Sequence, residues 1–286
     1  MESLIVDPWM ISAVPEAGWR LWAFLVTMSV MGGLILYFGF GSILYYCFYI
    51  RRRKDPEAWK LQPKRFCSPK LHRWAIGVAA ANLMVGGLLS GTFAYYLTQG
   101  GRAALYLQID DYGWAYTLVS TLIGFVMIDG AAYYTHRLFH NKWLFRKFHR
   151  WHHRCIAPTP FTTVTLHPVE FLAFQFTAFL PALLFPMWAG SFIAILIYIL
   201  VFTIMDHSGV IHRHMLPWHA TSHYHNDHHI HFHCNYGQIL VFFDRFHGTL
   251  RRHKRRYGKD VFGGRGAPSD GESADELPPF YDYFQK

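Results

Sequence analysis

Four stretches of this chain contain no Asp, Glu, Lys or Arg, and that feature excludes most soluble folds. They cover residues 21–50, 75–101, 112–128 and 171–205. A membrane-crossing helix needs about 20 mostly apolar residues, whereas a helix of a water-soluble domain keeps one polar face. The expected fold is all-α, a polytopic membrane helical bundle. The third stretch is just long enough to cross. The last is longer than one crossing needs and is broken by Pro181, Pro186 and Gly190. Such breakers predict a helical hairpin that returns the chain to its starting side. The opening "MESLIVDPWM" has no positively charged n-region, so the first span is expected to remain as an anchor.

Charge placement sets the orientation. The net charge of +9 comes from "RRRKDPEAWKLQPKRFCSPKLHR" after the first span, from residues around the first two histidine groups, and from "RRHKRRYGK" near the end. These are juxtamembrane positions, where Lys and Arg mark the cytosolic side and meet anionic lipid. No nucleic-acid partner is expected. Residues 1–20 and 102–111 are slightly acidic, which suits the lumenal side. The four cysteines, Cys47, Cys67, Cys155 and Cys234, form no C-x-x-C pair and read as thiols in a reducing compartment. Gly263 to Pro279 is rich in Gly, Ser, Pro and acids, the composition of a loosely attached tail. The organisation that follows has three parts: an N-terminal membrane region with two spans and a basic loop (1–110), a histidine-rich domain (111–258) and a flexible tail (259–286).

Sixteen of the nineteen histidines fall between His136 and His233. Residues three and four apart share a helix face, so "HRLFH" (His136, His140), "HRWHH" (His149, His152, His153) and "HNDHH" (His225, His228, His229) each read as clustered imidazoles. Neutral imidazole is the commonest metal-binding side chain, and one tetrahedral ion uses about four ligands. Eight nitrogens on one side of the membrane therefore predict a dimetal site in a cytosolic helical cap. All-imidazole ligation suits iron or zinc better than magnesium or calcium, and the H-E-x-x-H of zinc peptidases is absent. A metal transporter is the rival reading from another class, but transporters place ionisable ligands inside their spans. His72, His247 and His253 lie in basic runs and are expected to be solvated; His214 and His219 are expected to be structural. Asp129 lies two helical turns before His136 in an apolar span, where an unpartnered carboxylate is costly. It is expected to orient His136. Glu170 and Asp244 are similar candidates, each weighed against a surface salt bridge such as one from Asp244 to Arg245.

The three boxes resemble those of the fatty acid hydroxylase and sterol desaturase superfamily. The likeness continues through "WKLQPKRF", "APTPFTTVTLHPVE" and "HHIHFHCNYGQILVFFDRFHGTL", and is closest to the C-5 sterol desaturase branch. The resemblance implies two Fe ions held by the eight box histidines, with O2 as co-substrate and electrons from NAD(P)H through a b-type cytochrome. His207, in "MDHSGVIHRH", best fits an additional ligand position, with His212 next. His231 and His233 stand where relatives often carry other residues. Thr159 and Phe161, just after the second box, are candidate substrate contacts. The implied function is desaturation of a sterol at C-5 in the endoplasmic reticulum membrane, or in the inner membrane of a bacterial host. The alternative is sterol 4-methyl or fatty-acyl hydroxylation on the same scaffold.

Overall fold

The computed structural model describes residues 18–212 and 219–251. The 259–286 tail, His214 and His253 lie outside these. Helix α1 (Gly18–Leu44) continues through a π-helical turn, Tyr45–Ile50, and is followed by α2 (Pro69–Thr98) and α3 (Gly113–Phe139). Three short segments then run end to end: α4 (Lys142–Leu144), a π turn (Phe145–His149) and α5 (Arg150–His153). Helices α6 (Pro168–Leu184) and α7 (Ala189–Asp206) complete the membrane part, and α8 (Ser222–His231) and α9 (Phe242–His247) lie beyond it. Two-residue strands β1 (Leu105–Tyr106) and β2 (Met187–Trp188) pair in parallel.

Four helical segments are long and apolar enough to cross a membrane: Gly18–Ile50, α2, α3 and α7; α6 is a shorter apolar helix. Their outer faces carry exposed Met28, Met31, Ile35, Leu118, Leu122 and Ile193, which only lipid can cover favourably. The protein is thus a multi-pass membrane protein. Local chemistry sets the helix starts. Ser68 accepts the Leu71 N–H at 3.3 Å and Pro69 follows it, while His167 Nδ1 accepts the Val169 N–H at 3.2 Å ahead of Pro168. Helices α1 and α2 pack closely because glycines meet backbone. A Cβ on Gly87 would lie 2.5 Å from Val30 Cα, and one on Gly91 would lie 2.4 Å from Val26 Cα. This is the small-residue contact through which membrane helices associate.

The α6–α7 hairpin forms as expected, and its tip shows which way it points. Met187 N donates to Ala104 O at 2.8 Å, and Trp188 Nε1 donates to Leu107 O at 3.1 Å. The tip therefore sits beside the α2–α3 loop, so the far ends of α3 and α7, carrying His136 and His207, share the opposite side. That side also exposes Arg51–Lys54 and the basic residues of 142–154, the charge asymmetry by which Lys and Arg orient membrane proteins. The uncharged stretch 112–128 understates α3, which continues past Asp129 to Phe139 because that carboxylate is buried and hydrogen-bonded. The 51–68 loop joins the cap. Leu61 N donates to Gly209 O at 2.9 Å and Ile211 N to Trp59 O at 2.7 Å, tying this loop to the chain after α7. His72 is half-buried and stacks on Tyr45, while His247 bonds Tyr134 Oη at 2.9 Å. Neither is simply solvated, since each has an aromatic surface to cover.

Candidate metal centre

Nine buried histidines converge in two groups. His136, His140, His149, His153 and His228 form one, and His152, His207, His225 and His229 form the other; within each group the ligand atoms lie within 4.8 Å of one another. The H-x-x-H-H boxes are divided between them rather than pointing together. Positions i and i+4 differ by about 40° around a helix and i+3 lies about 60° the other way, so one box feeds two groups. In "HRWHH" the i, i+4 pair His149 and His153 joins the first group and His152 the second. In "HNDHH" the assignment inverts: His225 and His229 join the second group and His228 the first. His136 and His140, at the end of α3, fill out the first group, and His207, capping α7, fills out the second.

The hydrogen bonds behind these rings fix their tautomers. A carbonyl only accepts, so His136 Nδ1 donates to Tyr236 O (2.8 Å), His228 Nδ1 to Cys234 O (2.7 Å) and His207 Nδ1 to Thr203 O (2.7 Å). His149 Nδ1 bonds the Glu170 carboxylate, both groups being buried. A neutral ring whose proton sits on Nδ1 presents a bare lone pair at Nε2. The Nε2 atoms of His136 and His149 nevertheless face each other at 3.2 Å. In the second group, His207 Nε2 lies 3.1 Å from His152 Nε2 and 2.9 Å from His225 Nε2. Protonation does not relieve this crowding. Burial first, and neighbouring imidazoles second, hold His149, His152, His153, His225, His228 and His229 well below the usual imidazole range. His207 falls to about 4. Facing lone pairs in a dry site are what a cation resolves, so the donor set fits two metal ions.

Several expected site residues sit elsewhere. His212 is in neither group; its Nε2 lies 3.3 Å from Asp206 Oδ1, because Gly209 at φ +71° turns the chain away after α7. His231 and His233 also lie outside both groups. Asp129 does not reach His136. Its two oxygens accept Ile239 N (2.9 Å) and Leu240 N (3.2 Å), since seven residues share a face but span about 10 Å of rise. Glu170 does meet a site histidine, His149. Asp244 pairs with neither a histidine nor Arg245. It accepts the Tyr224 hydroxyl, Tyr236 N (3.0 Å), Gly237 N (2.7 Å) and Thr249 Oγ1 (2.6 Å), clamping the turn whose Tyr236 carbonyl holds His136. His219 bonds Tyr198 Oη, a structural contact as expected.

A cavity of about 650 Å³ runs from His136, His149, His152, His207 and His225 into the membrane bundle. Its walls are mainly apolar or glycine, with contributions from α1, α2, α3, α6 and α7, but they include the carboxyl groups of Glu170 and Asp206 and polar groups such as Thr203 and Gln238. Thr163, Val164 and Leu166 line it, but Thr159 and Phe161 do not. Phe161 belongs instead to the core with Tyr37, Ala79, Leu83 and Ile204, and Thr159 is buried in a turn closed by Thr162. The segment approaches the cavity as expected, but the large ring was needed for packing. Residues that sequence reasoning missed are mostly backbone acceptors (Thr203, Cys234, Tyr236), along with Gln62, whose amide donates to both Ile156 O and Asn226 Oδ1 at 2.8 Å.

The fatty acid hydroxylase family profile matches residues 121–249, which span both box-bearing ends of this centre. A Delta(7)-sterol 5(6)-desaturase of Gibberella zeae is 33% identical over 153 residues, covering 53% of this chain and 47% of that protein. Lathosterol oxidase of Mus musculus is 27% identical over 242 residues, covering 82% and 77%. A Delta(7)-sterol 5(6)-desaturase of Schizosaccharomyces pombe is 28% identical over 229 residues, covering 79% and 72%. No solved structure gives a significant match. With all three boxes inside the matched region, residues 121–249 are similar to the fatty acid hydroxylase family, and these relatives are sterol desaturases and a lathosterol oxidase.

Proposed function

We propose that the protein is a membrane-bound non-haem diiron oxidase that introduces the C-5 double bond into a Δ7-sterol, using O2 and electrons from NAD(P)H. The observation that carries this reading is the cavity: five site histidines form one end of an apolar chamber set among membrane helices. Its size is in the range of small-molecule sites. An elongated lipid can lie in it with one end against the imidazoles. The relatives are named for this reaction.

Iron, when bound, supplies the reduction of O2 and the power to take hydrogen from an unactivated carbon. The nine histidines would hold it, with His149 oriented by Glu170 and His136 by the Tyr236 carbonyl. Apolar walls exclude water and fix which carbons face the centre, which is the protein's share of such chemistry. Overall the sterol loses two hydrogens while O2 takes up two further electrons and two protons, giving two waters. The 111–258 unit carries the ligands, and the 1–110 region supplies cavity wall and the basic loop. The topology and the resemblance favour the endoplasmic reticulum membrane, with a b-type cytochrome as donor.

The test is product analysis. Iron-loaded protein in nanodiscs receives a reductant, O2 and a Δ7-sterol, and mass spectrometry follows the sterol. Oxygen-dependent loss of two hydrogens supports desaturation. Gain of one oxygen moves the assignment to a hydroxylase, and no oxygen-dependent product sinks it.

A further inference from the structure

The helical run from Lys142 to Arg154 has two unlike faces. His149, His152 and His153 are buried on one. On the other, Lys142, Arg146, Arg150 and Arg154 recur every four residues, with Lys147 beside them, and all five are exposed. Residues 142–169 contain no carboxylate at all. Among the described residues, none of these five cations forms an ion pair; Lys147 and Arg154 instead lie over the rings of Trp143 (4.2 Å) and Trp74 (4.5 Å). Five like charges held on one short run repel one another, and no carboxylate of the described residues offsets them.

We infer that this basic face is the docking surface for an acidic, soluble-domain electron donor, which delivers electrons through the single helix that separates it from the histidine groups. The inference rests on the proposed oxidase chemistry, in which the sterol gives up two electrons, O2 takes four, and two must come from outside. The helix is about 10 Å across, and electron transfer falls steeply with distance, so a donor seated on this face lies within one helix of both histidine groups. Charge complementarity selects the partner: a surface of unpaired Arg and Lys steers and orients an acidic protein. Arg is suited to gripping carboxylates through paired hydrogen bonds.

The experiment uses the iron-loaded protein in nanodiscs of purely zwitterionic lipid and the reduced haem domain of a b-type cytochrome as probe. Stopped-flow absorbance follows haem oxidation anaerobically and without sterol, so the result does not depend on what the enzyme later does to a substrate. Biolayer interferometry measures binding of the same domain to metal-free nanodiscs. We expect wild-type electron transfer and binding to weaken with added salt. Arg146→Glu with Arg150→Glu should slow transfer at low salt by about tenfold or more and abolish most of the salt dependence. Reduction by a small uncharged mediator should be unchanged. The milder pair Arg146→Gln and Arg150→Gln should fall between, which guards against misfolding of the reversed variant. The inference is overturned if wild-type transfer ignores ionic strength, if the Gln pair transfers at the wild-type rate, or if the variants lose only binding to anionic-lipid vesicles, which would make the face a membrane contact. Failure of the sterol assay with intact salt-dependent haem oxidation would overturn the desaturase reading and leave this one standing.

Discussion

The two histidine groups use the same side chain and are held differently. In the five-histidine group, three rings are fixed from behind: His136 by the Tyr236 carbonyl, His228 by the Cys234 carbonyl and His149 by Glu170. In the four-histidine group, among the described residues, only His207 has such a backing bond, to Thr203 O one helical turn earlier. Its other members depend on where α8 and the second box are placed. The contrast separates a preorganised site from one assembled by docking of helices. Partners behind a ligand set both its orientation and its basicity, so the groups should differ in affinity and in what disturbs them.

The largest expected effect breaks both groups alike. His149→Ala and His225→Ala each remove one imidazole, and each should lower oxygen-dependent turnover by about 1,000-fold or more, because members of one catalytic set act as a unit. Metal analysis distinguishes them: each variant should retain about one ion per chain where the wild type holds two. Retention of both ions with full turnover would refute the two-group reading.

A smaller change should affect only the preorganised group. Glu170→Ala removes the carboxylate behind His149, and such partners contribute about 10- to 100-fold in metal affinity. Chelator competition should show one ion lost more readily and the other unchanged, with Glu170→Gln restoring part of the loss because its amide oxygen still accepts. Equal weakening of both ions would mean that Glu170 supports the cap as a whole.

Much of this was legible in the sequence because periodicity and charge are local signals. The uncharged stretches located the spans, Pro181, Pro186 and Gly190 marked the hairpin, and the boxes named all nine clustered histidines once His207 was added. Division of each H-x-x-H-H box between two groups also follows from helical angles, yet spacing alone does not say how many partners wait on each side. The acceptors behind the rings left no trace, since every residue has a carbonyl and only the fold decides that Tyr236 and Cys234 aim theirs inward. Asp129 shows the limit of a shared face: direction was right, but the rise along the axis sends its carboxylate to Ile239 and Leu240. Phe161 was misplaced because a ring beside a cavity and a ring in the core have the same sequence signature.

Acid should expose what the groups share. In the unfolded chain an imidazole protonates near pH 6.5. In the fold, burial holds His149, His152, His153, His225, His228 and His229 well below that, and His207 at about 4. Between these limits the unfolded state binds more protons, so metal-free stability is full above about pH 6.5 and falls as pH drops towards 4. The melting temperature of metal-free protein should decrease from about pH 7.5 to about 5.5, because the buried imidazoles outnumber the buried carboxyl groups that act in the opposite direction. A flat profile would mean that the rings are solvated.

The smallest effect should fall mainly on the docked group, because His149 and His228 of the other group have partners of their own behind them. Gln62, in the basic loop of the N-terminal region, donates through one amide to Ile156 O, just after the second box, and to Asn226 Oδ1, inside the third. It thereby fixes the distance between the second box, which supplies His149, His152 and His153, and the third, which supplies His225, His228 and His229. Gln62→Ala leaves two buried acceptors unpaired, at a cost of about 1–3 kcal/mol, without touching any ring. Loss of metal to a chelator should then be faster for one ion, by about threefold to tenfold, while the ion sensitive to Glu170→Ala dissociates nearly as in the wild type. The double variant Gln62→Ala with Glu170→Ala should show both losses additively, as expected for sites without shared partners. If Gln62→Ala instead accelerates release of the same ion as Glu170→Ala, then the two groups are one mechanical unit and the distinction between them fails.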